Sequence, residues 1–272
     1  MIQLTRDRTR ISSGFRGQHR INREKRLLRQ YLVGEAPTSN IWRAAKDQLR
    51  IESHGKCAYC EGKADHVAYG DVEHFRPKSV YWWLAYCYDN FTFSCQLCNQ
   101  QFKVANFPID AHPMAAPVVP QTPTEQELDN LAGTLAPDPA TDSDVQTFQD
   151  ACALEDCHLP DPYVQDPEQF FSWEADEVIR EVEIRPRSNS ARNVRAYGAV
   201  KQFLGLNREE LMRWRFLTYD LANTLVRIVK DASASPAVHQ LAAAKLQDMM
   251  KDEAEFAAMV RYLVRVQHGL SL

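Results

Sequence analysis

The chain has 272 residues, 44% of them hydrophobic and 25% charged, and a formal net charge of -4. That length supports a core without staples, and the balance is that of a soluble globular protein, not a disordered or fibrous one. No apolar run approaches the ~18 residues of a membrane span, and MIQLTRDRTR lacks the apolar stretch of a signal peptide, so a cytoplasmic location is expected.

The net charge conceals an uneven distribution. From Met1 to Tyr31 there are nine Arg or Lys against Asp7 and Glu24, whereas from Thr124 to Ile184 there are seventeen Asp or Glu against Arg180 alone. A basic arm and an acidic belt make local fields that can guide a phosphate backbone or a protein partner. Both can equally be solvated surface.

In chain order, the spacing of Ile21, Leu27, Leu28, Tyr31 and Leu32 predicts a helix over His19–Leu32. Arg20, Arg23, Arg26 and Arg29 recur every three residues and would form a stripe beside the apolar one, suited to phosphates. A second helix is expected from Ser39 to Glu52, capped by Ser39 or Asn40, with Ile41, Trp42, Ala45 and Leu49 inward. Next come two Cys-x-x-Cys pairs, Cys57/Cys60 and Cys95/Cys98. Beyond Lys103 the Pro-rich FPIDAHPMAAPVVPQTPTEQE has no period and predicts an irregular linker, and LAPDPATDSD a surface loop. WEADEVIREVEIRP predicts a hairpin with Val178 and Ile179, then Val182 and Ile184, in strands. Helices are expected over Ala191–Leu204, Arg208–Asp231 and Pro236–His268. Gly205 would close the first of these, Asn207 cap the second and Pro236 open the third.

The cysteines carry the first chemical signal. An odd total of seven does not fit a disulfide scaffold, and two tight pairs in a reducing compartment point to metal. Four thiolates from Cys57, Cys60, Cys95 and Cys98 make the soft tetrahedral set of a structural Zn2+, with no open position for catalysis. Cys87, Cys152 and Cys157 are left as packing or surface thiols.

Between the pairs lies harder chemistry. VAYGDV alternates like a short strand and leads into VEHFRPKS, where Glu73 and His74 are adjacent. Neighbouring strand residues face opposite sides, so both serve one site only where the strand bends or ends. Asn99 follows Cys98 directly. A carboxylate and an amide oxygen suit Mg2+ or Mn2+, and a neutral imidazole beside the ion can take a proton from water. Asp71, two residues before Glu73, competes for the ligand role, and Asn99 can also be a helix cap. Arg76, Lys78 and Lys103 are candidates to contact phosphates, which position nucleic acid without reading its bases.

The order C-x-x-C, E-H-F-R-P-K, Asn90, then C-x-x-C-N with Lys103 beyond resembles the zinc-containing branch of the HNH endonucleases, which have a ββα-metal fold. The resemblance implies that Glu73 binds the catalytic divalent ion where Asp is commoner, and that His74 is the general base. It implies further that Asn90 ties down the loop orienting that His, and that Asn99 is a second ligand. Three short marks, KVANFPI, DPYVQDPEQFFSW and FLGLNREELMRWR, are similar to the PtuB-type HNH effectors of Septu and certain retron anti-phage systems. That likeness implies nucleic acid as substrate, DNA first with RNA as the alternative, and an ATPase of the ABC or SMC-like kind as partner.

The fold expected is therefore α+β, a zinc-containing ββα-metal core in a mainly helical protein. Its parts would be a helical arm (1–54), the nuclease core (55–110), an acidic wrapping region with a hairpin (111–190) and a helical domain (191–272). The alternatives are a zinc-ribbon module that binds nucleic acid without cutting, which would have no use for Glu73 and His74, or a structural partner docking through its acidic belt.

Overall fold

The computed structural model describes residues 1–64 and 70–272. Val67, Ala68 and Tyr69 of the expected VAYGDV strand lie outside the described residues. Among the described residues the protein is α+β and mainly helical, with two small antiparallel sheets. No helix among the described residues is long and apolar enough to cross a membrane.

The chain forms two compact units, Thr5–Ser53 with Gly70–His158, and Met1–Leu4 with His54–Tyr69 and Leu159–Leu272. In the former, α1 spans Gly17–Leu32 and stops where Gly34 takes a φ of 71°. The single helix expected from Ser39 to Glu52 is two, α2 (Ser39–Arg43) and α3 (Lys46–Glu52). The N-cap of α2 is Thr38, without a side-chain bond, so the expected Ser39 or Asn40 cap does not form.

Strands β1 (Asp71–His74) and β2 (Phe91–Ser94) pair antiparallel, with Glu73 opposite Thr92 and His74 opposite Phe91. Only glycine fits at position 70, because a Cβ there would lie 2.2 Å from the Phe93 ring. A π-helical turn, Leu97–Lys103, follows β2, its Val104 N–H reaching five residues back to the Asn99 carbonyl at 2.8 Å. The core of this unit gathers Leu27 and Leu28 of α1, Ile41 of α2 and the YWWLAYC segment from Tyr81 to Cys87.

Two further helices stand where sequence alone gave linker and loop: α4 (Glu125–Ala132) and α5 (Asp142–Ala153). Helix α4 opens on a capping box in which Thr124 and Glu127 satisfy each other's backbone N–H groups. It buries Leu128 and Ala132 in the core and turns its acidic face to α1. There Lys25 meets Glu125 and Asp129 at 2.8 and 2.7 Å, and Arg29 meets Glu125 at 2.8 Å. Arg20 is buried against Glu24 at 2.7 Å. The arginine stripe of α1 is thus largely engaged by its own chain instead of presented to phosphates. Arg6 and Arg8 are likewise used, against Glu52 at 3.1 Å and Asp89 at 2.8 Å.

In the other unit, β3 (Phe171–Asp176) and β4 (Glu181–Pro186) make the expected hairpin, but Val178 and Ile179 sit exposed in its turn. Helices α6 (Ala191–Phe203) and α7 (Glu209–Lys230) fall where the periodicity places them. Gly205, at φ 57°, closes α6, and the Leu206 N–H returns to the Val200 carbonyl at 3.2 Å. Asn207 does not cap α7. Its amide accepts from the Ile184 N–H and donates to the Ile184 carbonyl, both at 2.9 Å, completing the edge of β4 as another strand would.

The long helix expected from Pro236 to His268 is interrupted. Helix α8 ends at Met249 and α9 runs Ala257–Arg261 after Phe256 turns left-handed at φ 54°. Arg261 donates to the Met250 carbonyl at 2.8 Å and pairs with Asp252 and Glu168, which fixes the break. Phe256 is buried with its ring edge-on to Trp214. The polar run Lys251–Glu255 contains no Gly or Pro to announce it.

Candidate functional site

The sulfurs of Cys57, Cys60, Cys95 and Cys98 lie within 4.8 Å of one another. A tetrahedral Zn–S shell at about 2.3 Å requires sulfur separations of roughly 3.8 Å, so the donor set fits that ion. Each pair sits on a tight backbone turn. The Glu61 N–H donates to the Cys57 carbonyl, and the Asn99 N–H to the Cys95 carbonyl, both at 3.0 Å. Beside the first turn, a Cβ on Gly62 would come within 2.7 Å of the Trp214 ring, so that indole covers the knuckle closely.

Glu73 and His74 line one cleft of about 390 Å³, with Asn99, Trp42, Lys78 and Val104 among its walls. Adjacent strand residues reach a common space here because β1 ends at His74. Both are recessed, 4% and 6% exposed. The His74 Nε2 lies 3.0 Å from the Ala85 carbonyl. A carbonyl only accepts, so the proton is on Nε2 and Nδ1 keeps its lone pair. Burial holds the imidazole down at about 3, with Lys78 and Lys103 adding to that shift, so the ring is neutral near neutral pH. Trp42 and Phe91 flank it edge-to-face, each at 5.1 Å.

Burial pushes the Glu73 carboxyl above its usual range, and the Lys103 ammonium pulls it back. Lys103 Nζ is 2.6 Å from Glu73 Oε1 and donates to the His74 carbonyl at 3.0 Å. Its side chain is fully buried. Asn90 accepts from the Arg76 N–H at 2.8 Å and donates to the Arg76 carbonyl at 3.0 Å. It therefore joins the two ends of the loop between β1 and β2. Asp71 accepts from Gln100 at 2.6 Å and does not line the cleft.

Of the three cations expected at phosphates, Lys78 alone is exposed, its ammonium 5.5 Å from the centre of the Trp42 ring. Arg76 is buried and pairs with Glu155 at 2.6 Å. Glu155 also accepts from the Met114 N–H at 2.9 Å. Removing the carboxylate would strand a buried guanidinium, so Glu155→Ala should lose about 3–5 kcal/mol of stability. Denaturant unfolding measures this, and a loss within the ~1 kcal/mol of a surface pair would contradict it.

Sequence reasoning overlooked three participants. Trp42 had only a packing role, the Ala85 carbonyl carries no side-chain signal, and Glu155 comes from just beyond the C-terminal end of α5. None has a spacing relation to His74 that could have pointed to it.

Over 80 residues the chain is 36% identical to the Septu protein PtuB of Bacillus mycoides (strain KBAB4), covering 25% of this chain and 27% of that protein. Over 82 residues it is 34% identical to the Septu protein PtuB of Bacillus thuringiensis, covering 29% of this chain and 31% of the relative. The chain thus spans less than a third of either relative. No protein-family model matches it. No solved structure matches it. Over that partial stretch the chain is distantly similar to Septu PtuB, and it carries a four-cysteine cluster, three of its members buried, able to coordinate a metal.

Proposed function

We propose that this chain is a divalent-metal-dependent nuclease of the HNH kind, acting on nucleic-acid phosphodiesters within a Septu-like anti-phage system. The observation that carries the reading is the meeting of His74, Glu73 and Asn99 on one recessed cleft, with His74 neutral and its Nδ1 lone pair available. The order β1, loop, β2, helical turn supports a ββα-metal core. In this reading the four cysteines hold structural Zn2+, and Glu73 with Asn99 holds Mg2+ or Mn2+. Such an ion, when bound, polarises the phosphate and offsets its charge.

The chain's own residues do the rest. His74 Nδ1 accepts a proton from the attacking water while the Ala85 carbonyl holds the ring's tautomer. Asn90 keeps the loop closed, and Lys78 draws the strand to the cleft mouth. Arg76 and Lys103 serve from inside, through Glu155 and Glu73, not at phosphates. An ATPase partner and the choice of DNA or RNA belong to the same proposal, by the likeness to Septu PtuB.

One observation favours a second reading, a zinc module that binds nucleic acid without cutting: Lys103 already neutralises Glu73. The two separate by Mn2+ binding. Wild-type protein should bind Mn2+ in an electron paramagnetic titration and cut a labelled strand, and Glu73→Gln should weaken binding about tenfold or more and slow cutting, with partial rescue at high Mn2+. Identical Mn2+ binding by Glu73→Gln would remove Glu73 from the ion and favour the second reading.

A further inference from the structure

The cleft beside His74 contains a group that proton transfer and metal binding leave unused. Trp42 is half-buried on α2, held by Tyr86 behind it, and lines the same space as Glu73, His74 and Asn99. The exposed ammonium of Lys78 stands 5.5 Å from the ring centre. An indole with an exposed cation over it, inside a cleft rather than on a convex surface, is a pairing suited to a nucleobase on the ring and its phosphate on the amine.

Size and depth narrow the occupant. A space of about 390 Å³ lies at the small end of ligand clefts and suits one splayed nucleotide, not a stacked duplex. His74 and Glu73 are 6% and 4% exposed, so a phosphate must come down to them. A flexible unpaired strand does this with a rotation of its backbone, whereas a duplex must first unstack a base at a cost of a few kcal/mol.

We propose that Trp42 is a stacking platform for the base next to the scissile phosphate, and that the substrate is an unpaired strand, Lys78 moving from the ring to the phosphate on binding. This rests on the nuclease reading for the identity of the phosphate, but the platform is testable without cleavage. Base-on-indole stacking is tolerant of sequence, so little preference among bases is expected.

The test uses the full chain, zinc content checked, in Ca2+ with fluorescein-labelled probes whose integrity is confirmed on a gel. The probes are an oligothymidylate, the same strand with abasic positions, and a short duplex. Wild-type protein should bind the oligothymidylate about tenfold more tightly than either other probe. Trp42→Leu, which keeps apolar bulk, should lose about tenfold on the oligothymidylate and almost nothing on the abasic strand, and Trp42→Phe should recover most of the loss. Equal binding of all three probes, no measurable binding of any, or a Trp42→Leu loss shared by the abasic strand would overturn the platform. Cutting in Mn2+ with affinity indifferent to Trp42 would remove the platform and leave the nuclease standing. Trp42-dependent binding without cutting by any probe or metal would do the reverse.

Discussion

Cys98→Ser should strip the protein of zinc and abolish its cooperative melt. Cys98 is fully buried in the four-sulfur cluster, and a serine oxygen is a poor substitute for a soft thiolate. Structural zinc sites contribute apparent free energies of about 10–16 kcal/mol, comparable with the roughly 5–15 kcal/mol of a whole domain. Wild-type protein should carry one zinc per chain by elemental analysis. Cys87→Ser is the control: that thiol is buried outside the cluster and should keep its metal with a modest shift in melting temperature. Full zinc and an unaltered melt in Cys98→Ser would dispose of the site.

His74→Ala should cut nucleic acid about 10²–10⁴-fold more slowly than wild type, the range for a lost general base. Zinc content should not change, because His74 is not among the clustered ligands. The side chain is buried against Trp42 and Phe91, so folding needs its own check by circular dichroism and melting. His74→Asn is a second test, leaving less of a void. Wild-type cutting by both variants would take His74 out of the chemistry whatever else the cleft binds.

What was legible in the sequence follows from the range of the interactions. Helices α6 and α7 show in the spacing of their buried residues, and Gly205 marks a turn only glycine makes easily. The four cysteines could be paired by spacing because a metal shell demands particular donors. Helix α4 was legible too, in Thr124-Glu125-Gln126-Glu127, the capping-box signature, but the prolines before it drew the segment towards linker. The break after α8 was not legible, since Arg261 fixes it by reaching back to Met250 and Asp252 and across the unit to Glu168. Asn207 shows the same limit: a good capping residue by type, it is taken by the edge of β4. Within the cleft, Glu73, His74 and Asn99 stand out as chemical types. The partners Lys103, Ala85 and Trp42 emerge only from tertiary packing.

The hydrogen bond from His74 to Ala85 comes from main chain, and Ala85 is itself fully buried. No exchange of side chain at position 85 deletes that acceptor. Any residue small enough to fit would present the same carbonyl. The number of residues between His74 and Asn90 is a different matter, because Asn90 clamps the loop at Arg76 and thereby sets where residue 85 falls. A one-residue insertion or deletion in the Tyr81–Cys87 segment would shift the carbonyl out of line with the imidazole while leaving the composition of the cleft intact. Variation in this loop should therefore be tolerated as substitution and rejected as change of length, and a scan of single insertions would find its sharpest boundary there, in a segment that itself carries no charged residue.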